Sequence, residues 1–170
     1  LPNGGMAVVA EHYVYQRTES TNSSGQTTTY ETWLFGNVVT MFIDADGKMQ
    51  TAGVLKKKQM CTAKNGNASL MQQMGIGMYP GVNELPYYGI GIPEHNGNIM
   101  ILYNENPKNA ERVAAGKNPL SVRQKTSVTQ LVTFTPDGNV SSDVLFKSKD
   151  KEAGYSMPLM PRSSIQYASN

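Results

Sequence analysis

The chain predicts an all-β protein of antiparallel hairpins, and three observations carry that reading. Two Asp-Gly pairs, Asp46-Gly47 and Asp137-Gly138, each sit between runs of β-favouring residues. An Asp-Gly between apolar runs is a strong hairpin signal, because a type I′ turn needs φ > 0 at both central residues. The flanking stretches alternate apolar and polar side chains, as strands do when one face is covered. Polarity comes from Thr, Ser, Asn and Gln while charged residues are only 16%, a composition suited to exposed strand faces and turns.

The first strand is read over residues 6–18, where Val8 and Val9 look buried and His12, Val14 and Gln16 oppose Tyr13 and Tyr15 across the pleat. Residues 20–29 are almost all Ser, Thr, Asn, Gly and Gln and read as a mobile connection. From Thr28 the β character returns through Tyr30, Trp33 and Phe35. Val38 to Ile43 runs into the first Asp-Gly turn, and Met49 to Leu55 leaves it. Residues 67–74 hold helix formers with Leu70, Met71 and Met74 on one face, which predicts one or two helical turns. A Gly-, Tyr- and Pro-rich stretch over 75–93 follows, read as an ordered loop laid over the sheet with tyrosines as packing feet. Asn96-Gly97 opens a strand from Asn98 to Tyr103. A short helix is predicted over 107–115, with Asn106 as N-cap, Pro107 at the first position and Gly116 as its stop. Ser127 to Thr135, the second Asp-Gly turn and Val140 to Phe146 form the closing hairpin. Residues 148–154 read as a charged loop and 157–167 as an edge segment or tail.

With 170 residues the chain fits one ordinary domain. Within it, units 4–60 and 97–150 look related and are joined by the segment 61–96. The two Asp-Gly pairs lie 91 residues apart, and the lysines Lys56 and Lys58 answer Lys147 and Lys149 at the same distance. Repetition of this kind changes the fold expected, towards two blade-like units packed as a sandwich, an irregular barrel or a piece of a propeller.

Asn3-Gly4-Gly5-Met6-Ala7-Val8-Val9-Ala10-Glu11, Phe42-Ile43-Asp44-Ala45-Asp46-Gly47, Lys56-Lys57-Lys58-Gln59 and Leu102 to Asn109 carry a resemblance. Together they look like uncharacterised exported β-repeat proteins of gut Gram-negative bacteria, whose blades read Asp-Gly-Gly, strand, aspartate-rich turn, strand. The tryptophan usual after the turn is missing here, with Gln50 and Thr51 near its place. The resemblance implies export to the periplasm or cell surface and brings no biochemical activity with it.

Composition excludes several functions. The net charge of +2 is spread along the chain, whereas a nucleic-acid binder gathers its charge into a patch. The one dense run, Lys56-Lys57-Lys58, reads as an exposed strand end that discourages edge pairing. No apolar run reaches 18 residues, so no membrane-spanning helix is expected, and no signal peptide opens the chain. Its abrupt start at Leu1-Pro2-Asn3 suggests processing or trimming. Cys61 stands alone, which rules out an internal disulfide and leaves a buried, inert thiol as its expected state.

No catalytic or metal constellation emerges, and no cofactor is expected. Asp44-Ala45-Asp46-Gly47 begins like a calcium loop, but the glycine and glutamate such a loop needs are replaced by Met49 and Leu55. Gly75-Ile76-Gly77 and Gly89-Ile90-Gly91 lack the third glycine of a dinucleotide loop. His12 and His95 are the only histidines. Glu11, Glu31, Glu84 and Glu94 could supply the carboxylate pair of a glycan- or peptide-directed hydrolase, and no pair is selected. The candidate ligand surface is 75–95: Tyr79, Tyr87 and Tyr88 would stack on a sugar ring or extended peptide, with Glu94 and His95 as polar contacts. The alternative is that these tyrosines cap a core edge. The function expected is therefore a non-catalytic scaffold or binding module of an exported or cell-envelope protein, with glycan or peptide as partner; the hydrolase is the alternative.

Overall fold

The structure, a computed structural model, describes residues 1–65, 88–95, 97–123, 126–147 and 161. It is all-β, with two antiparallel sheets packed as a sandwich and one short helix among the described residues. The first sheet contains β1 (Met6–Thr21), β2 (Thr27–Ile43), β3 (Met49–Leu55) and β4 (Gln59–Asn65). β2 is central: β1 pairs along one side, while β3 and β4 share the other side end to end. The second sheet has the order β5 (Glu94–His95), β6 (Asn98–Glu105), β7 (Val128–Phe134), β8 (Val140–Lys147). α1 (Asn109–Ala114) lies in the connection between β6 and β7. Among the described residues, no helix is long and apolar enough to cross a membrane. The helix expected at 67–74, the loop expected at 148–154 and most of the expected tail at 157–167 fall outside the described residues. Pro161, which lies in the last of these, is buried.

Both Asp-Gly hairpins form, but with a different turn from the one expected. In the first, Gly47 N–H donates to Asp44 O (3.1 Å) and Asp44 N–H to Lys48 O (2.9 Å). The central residues are therefore Ala45 and Asp46, and Gly47 follows at φ +80°. This is a type I turn closed by a left-handed glycine, the usual three-residue hairpin loop. Thr135-Pro136-Asp137-Gly138-Asn139 repeats it, with Gly138 at φ +90°. A third copy, Asn22-Ser23-Ser24-Gly25-Gln26, joins β1 to β2. In each, the first residue's side chain accepts from the backbone ahead: Asn22 Oδ1 from Gln26 N (2.9 Å), Asp44 Oδ1 from Lys48 N (2.8 Å), Thr135 Oγ1 from Asn139 N (3.0 Å).

That third turn overturns the mobile connection expected at 20–29. β1 and β2 stay paired out to Thr21↔Thr27, where the two threonine hydroxyls meet at 2.9 Å. Threonine is β-branched and holds a strand without a core to bury. The helix is shorter than expected. Lys108 is its N-cap, and Asn106 instead makes a turn in which its Oδ1 accepts from Lys108 N (3.1 Å). Gly116, at φ +69°, ends it as the sequence suggests. Lys117 N reaches Arg112 O and Gly116 N reaches Val113 O, the double bond pattern of a glycine-terminated helix.

One irregularity organises the whole core. Between the pairs Glu11↔Val38 and Tyr13↔Phe35, β2 carries the extra residue pair Gly36-Asn37 against the single His12. Phe35 and Val38 are three apart, so a regular strand would send them to opposite faces. The bulge turns both inward, and both are buried. A Cβ at Gly36 would come within 2.7 Å of His12 Nδ1, so any larger residue there would displace the His12 side chain. The inner faces form two apolar clusters. One joins Val38 and Phe42 to Ile99, Ile101, Tyr103, Val132 and Phe134 of the opposing sheet. The other gathers Phe35, Cys61, Tyr88 and Val122, with Trp33 against it.

Candidate functional site

A polar seam separates the two clusters. Across from the β2 bulge, Lys56 to Lys58 break β3 from β4, and Lys57 N–H donates to Asn37 Oδ1 (3.2 Å). The Lys57 side chain then turns inward and is fully buried. Of the exposed lysine end expected at 56–58, Lys56 is exposed, but Lys57 is a correction, held inside by a built internal partner. Its Nζ lies 2.6 Å from Glu11 Oε1, donates to Gln59 Oε1 (3.0 Å) and approaches Phe35 O (3.5 Å). Gln59 continues the seam, donating through Nε2 to Asn104 O (2.8 Å) and accepting from Gly89 N (2.7 Å). Asn104 Oδ1 accepts from Thr129 Oγ1 (2.8 Å).

Glu105 anchors the end of β6. Its Oε1 accepts from Asn106 N (2.7 Å) and Asn109 Nδ2 (2.6 Å), and its Oε2 from the Tyr103 hydroxyl (3.2 Å). Burial pushes its carboxyl up to about 7, against the opposing pull of these hydrogen bonds and the Lys57 charge. Burial also raises the Tyr103 phenol, with the Glu105 charge adding to it. With Glu105 only 3% exposed, this is a latch inside the fold. Asn109 extends it to Leu120, donating through Nδ2 to its O and accepting at Oδ1 from its N. Ser121 Oγ then binds Met60 N (3.0 Å).

The arrangement that faces solvent lies elsewhere, on the β1–β2 ribbon. Tyr13 pairs with Phe35 and Tyr15 with Trp33 in the ladder. Opposite residues of an antiparallel pair share a face, so the four rings stand on one side. Ring centroids are 5.1 Å apart for Tyr13–Phe35 and 5.6 Å for Tyr15–Trp33, tilted by 47° and 42°. Phe35 is buried beneath, while Tyr13 and Tyr15 remain 52% and 46% exposed. The Tyr15 hydroxyl donates to Glu31 Oε1 (2.6 Å), a bond that raises the phenol's pKa. Arg17 pairs with Glu19 at 2.8 Å one step further out. The result is an apolar ladder with hydrogen-bonding groups along one end.

The residues expected to bind ligand are distributed differently. Tyr79 and Tyr87 lie outside the described residues. Tyr88 is 1% exposed, its ring 6.2 Å from Phe35 in the second cluster. It therefore packs the core, as the alternative reading of that segment holds. Glu94 and His95 form β5, paired with Ile99 and Asn98; their side chains lie outside the described set. Of the glutamates considered for hydrolysis, Glu11 is committed to Lys57 and Glu31 to Tyr15, while Glu84 is outside the described residues. Among the described residues, no group of three or more His, Cys, Asp or Glu is placed to hold a metal. A cleft of about 570 Å³ with a mixed polar and apolar lining lies between the start of β1 and the start of β6, lined by Met6, Val9, Ile92, Pro93, Asn98 and Ile99 among others.

The sequence did contain the signal for the ladder. Recognising Asn22-Ser23-Ser24-Gly25-Gln26 as the same turn as Asp44-Ala45-Asp46-Gly47-Lys48 sets the ribbon register, which pairs Tyr13 with Phe35 and Tyr15 with Trp33. Compared with known proteins, the chain matches no protein-family model, no curated protein and no solved structure.

Proposed function

We propose that this chain is a non-catalytic binding module of an exported or cell-envelope protein, and that the Tyr13–Tyr15–Trp33–Phe35 ladder holds a glycan. The observation that carries the reading is two half-exposed tyrosines, each backed by an aromatic partner on a hydrogen-bonded ribbon. Such rings offer a rigid apolar surface to the flat face of a sugar at little cost in side-chain entropy. Glu31, Arg17 and Glu19 supply donors and acceptors for hydroxyl groups beside it. Export is supported by the resemblance to exported β-repeat proteins and by a surface made polar by Thr, Ser, Asn and Gln.

The test is a glycan array probed with the wild type and with Tyr13→Ala/Tyr15→Ala. The wild type retains a defined set of glycans and the double variant loses them, while its unfolding stays cooperative. Retention equal in both, or none by the wild type, overturns the reading.

A further inference from the structure

We propose that two copies of the chain join through their β1 strands, antiparallel about a two-fold axis at Val14, so that the two first sheets become one. Among the described residues, the 16-residue strand β1 pairs with β2 alone, along one of its two edges. Natural edge strands are usually blunted by lysine, proline, shortness or a covering segment. Met6–Thr21 contains neither lysine nor proline. At its midpoint, Tyr13, Val14 and Tyr15 are 52%, 40% and 46% exposed, three consecutive large apolar residues that leave both faces of the edge unshielded.

The occupant follows from self-complementarity. About Val14, Tyr13 falls opposite Tyr15 of the second copy, and Val14 opposite Val14. His12 meets Gln16 of the second copy. Aromatic pairs are among the combinations that stabilise directly opposed residues. The register is isologous, as a two-fold dimer requires. It pairs Ala7 through Thr21, nearly the whole strand. The competing register about Thr18 matches Arg17 with Glu19 but pairs only Tyr15 through Thr21 and leaves Tyr13 and Val14 open. Opposed residues share a face, so the two aromatic ladders would abut across the axis as one band. The proposal stands on the edge itself and is independent of whether that band binds a glycan.

Sedimentation velocity on the 170-residue chain tests association, and cysteine cross-linking tests the register. The wild type should pass from single to double mass as concentration rises. Val14→Lys, which sets two like charges face to face, should raise the dissociation constant at least about tenfold. Opposed Cα atoms lie roughly 4.5–5.5 Å apart, within disulfide reach. Val14→Cys should therefore form a covalent dimer on mild oxidation and Thr18→Cys should not, with the wild type and its buried Cys61 as background. A single-chain mass throughout the micromolar range overturns the proposal. So does a dimer that Val14→Lys leaves intact, or cross-linking at residue 18 in place of 14.

Discussion

Replacing Lys57 by methionine should be among the most damaging single changes available to this fold. The lysine is fully buried, and Glu11, 2.6 Å away, is 13% exposed. Methionine keeps most of the volume and removes the charge. Glu11 then stays in the seam without the lysine charge, and Gln59 Oε1 loses the Lys57 donor, keeping Gly89 N. Breaking a buried pair from one side typically costs about 3–5 kcal/mol, a large part of the roughly 5–15 kcal/mol a domain possesses. Replacing both members is different, because the desolvation of both charges is relieved together. Lys57→Met/Glu11→Leu should therefore recover most of the loss, and the coupling in the double-mutant cycle should be about 2 kcal/mol or more. Urea unfolding at neutral pH measures all four corners. A loss below about 1 kcal/mol for Lys57→Met, or additive single effects, would refute the claim that the seam is held by this pair.

Two further predictions concern the seam and the interface between sheets. The Glu105 carboxyl has its folded pKa raised from 4.5 to about 7, so the neutral form favours the fold; the benefit is complete below about pH 4.5 and disappears as pH climbs through about 7. The wild type should lose about 2–3 kcal/mol of stability between pH 5 and pH 8 from this group, and Glu105→Gln should flatten that slope in denaturant titrations; an unchanged slope would refute it. Gly53 sits under Phe134, where a Cβ would come within 2.8 Å of the ring and 2.9 Å of Thr40 Oγ1. Gly53→Ala should therefore destabilise by about 1–3 kcal/mol through overpacking, and a neutral thermal shift would show that the sheets have slack there.

Much of this architecture was legible because local chemistry and tertiary packing agree. Met49–Leu55 reads as a strand and is one, since a turn precedes it and its pattern alternates. Gly116 reads as a helix stop and is one, because the left-handed cap needs glycine. The failures share a cause, which is that long-range partners decide burial. Lys56-Lys57-Lys58 carries the local signature of a solvated end, and only Glu11, brought alongside from another strand, makes the middle lysine an internal residue. β4 went unrecognised because its polarity is inverted. Gln59, Cys61 and Ala63 point inward while Met60 is 43% exposed, the reverse of the pattern a half-buried strand displays. The aromatic ladder was hidden for a related reason. Tyr13-x-Tyr15 and Trp33-x-Phe35 look like ordinary strand residues until the turn at Asn22–Gln26 sets their register.

Trp33 is the only tryptophan in the chain and stands within the ladder, stacked against Tyr15, so its emission is sensitive to that face. Titration of the wild type and Tyr13→Ala/Tyr15→Ala with a panel of soluble oligosaccharides is the most direct test of the ligand face. A saturable change in Trp33 emission with the wild type, absent from the folded double variant, is the expected result. Emission that no oligosaccharide alters, or that responds equally without the two tyrosines, would contradict it.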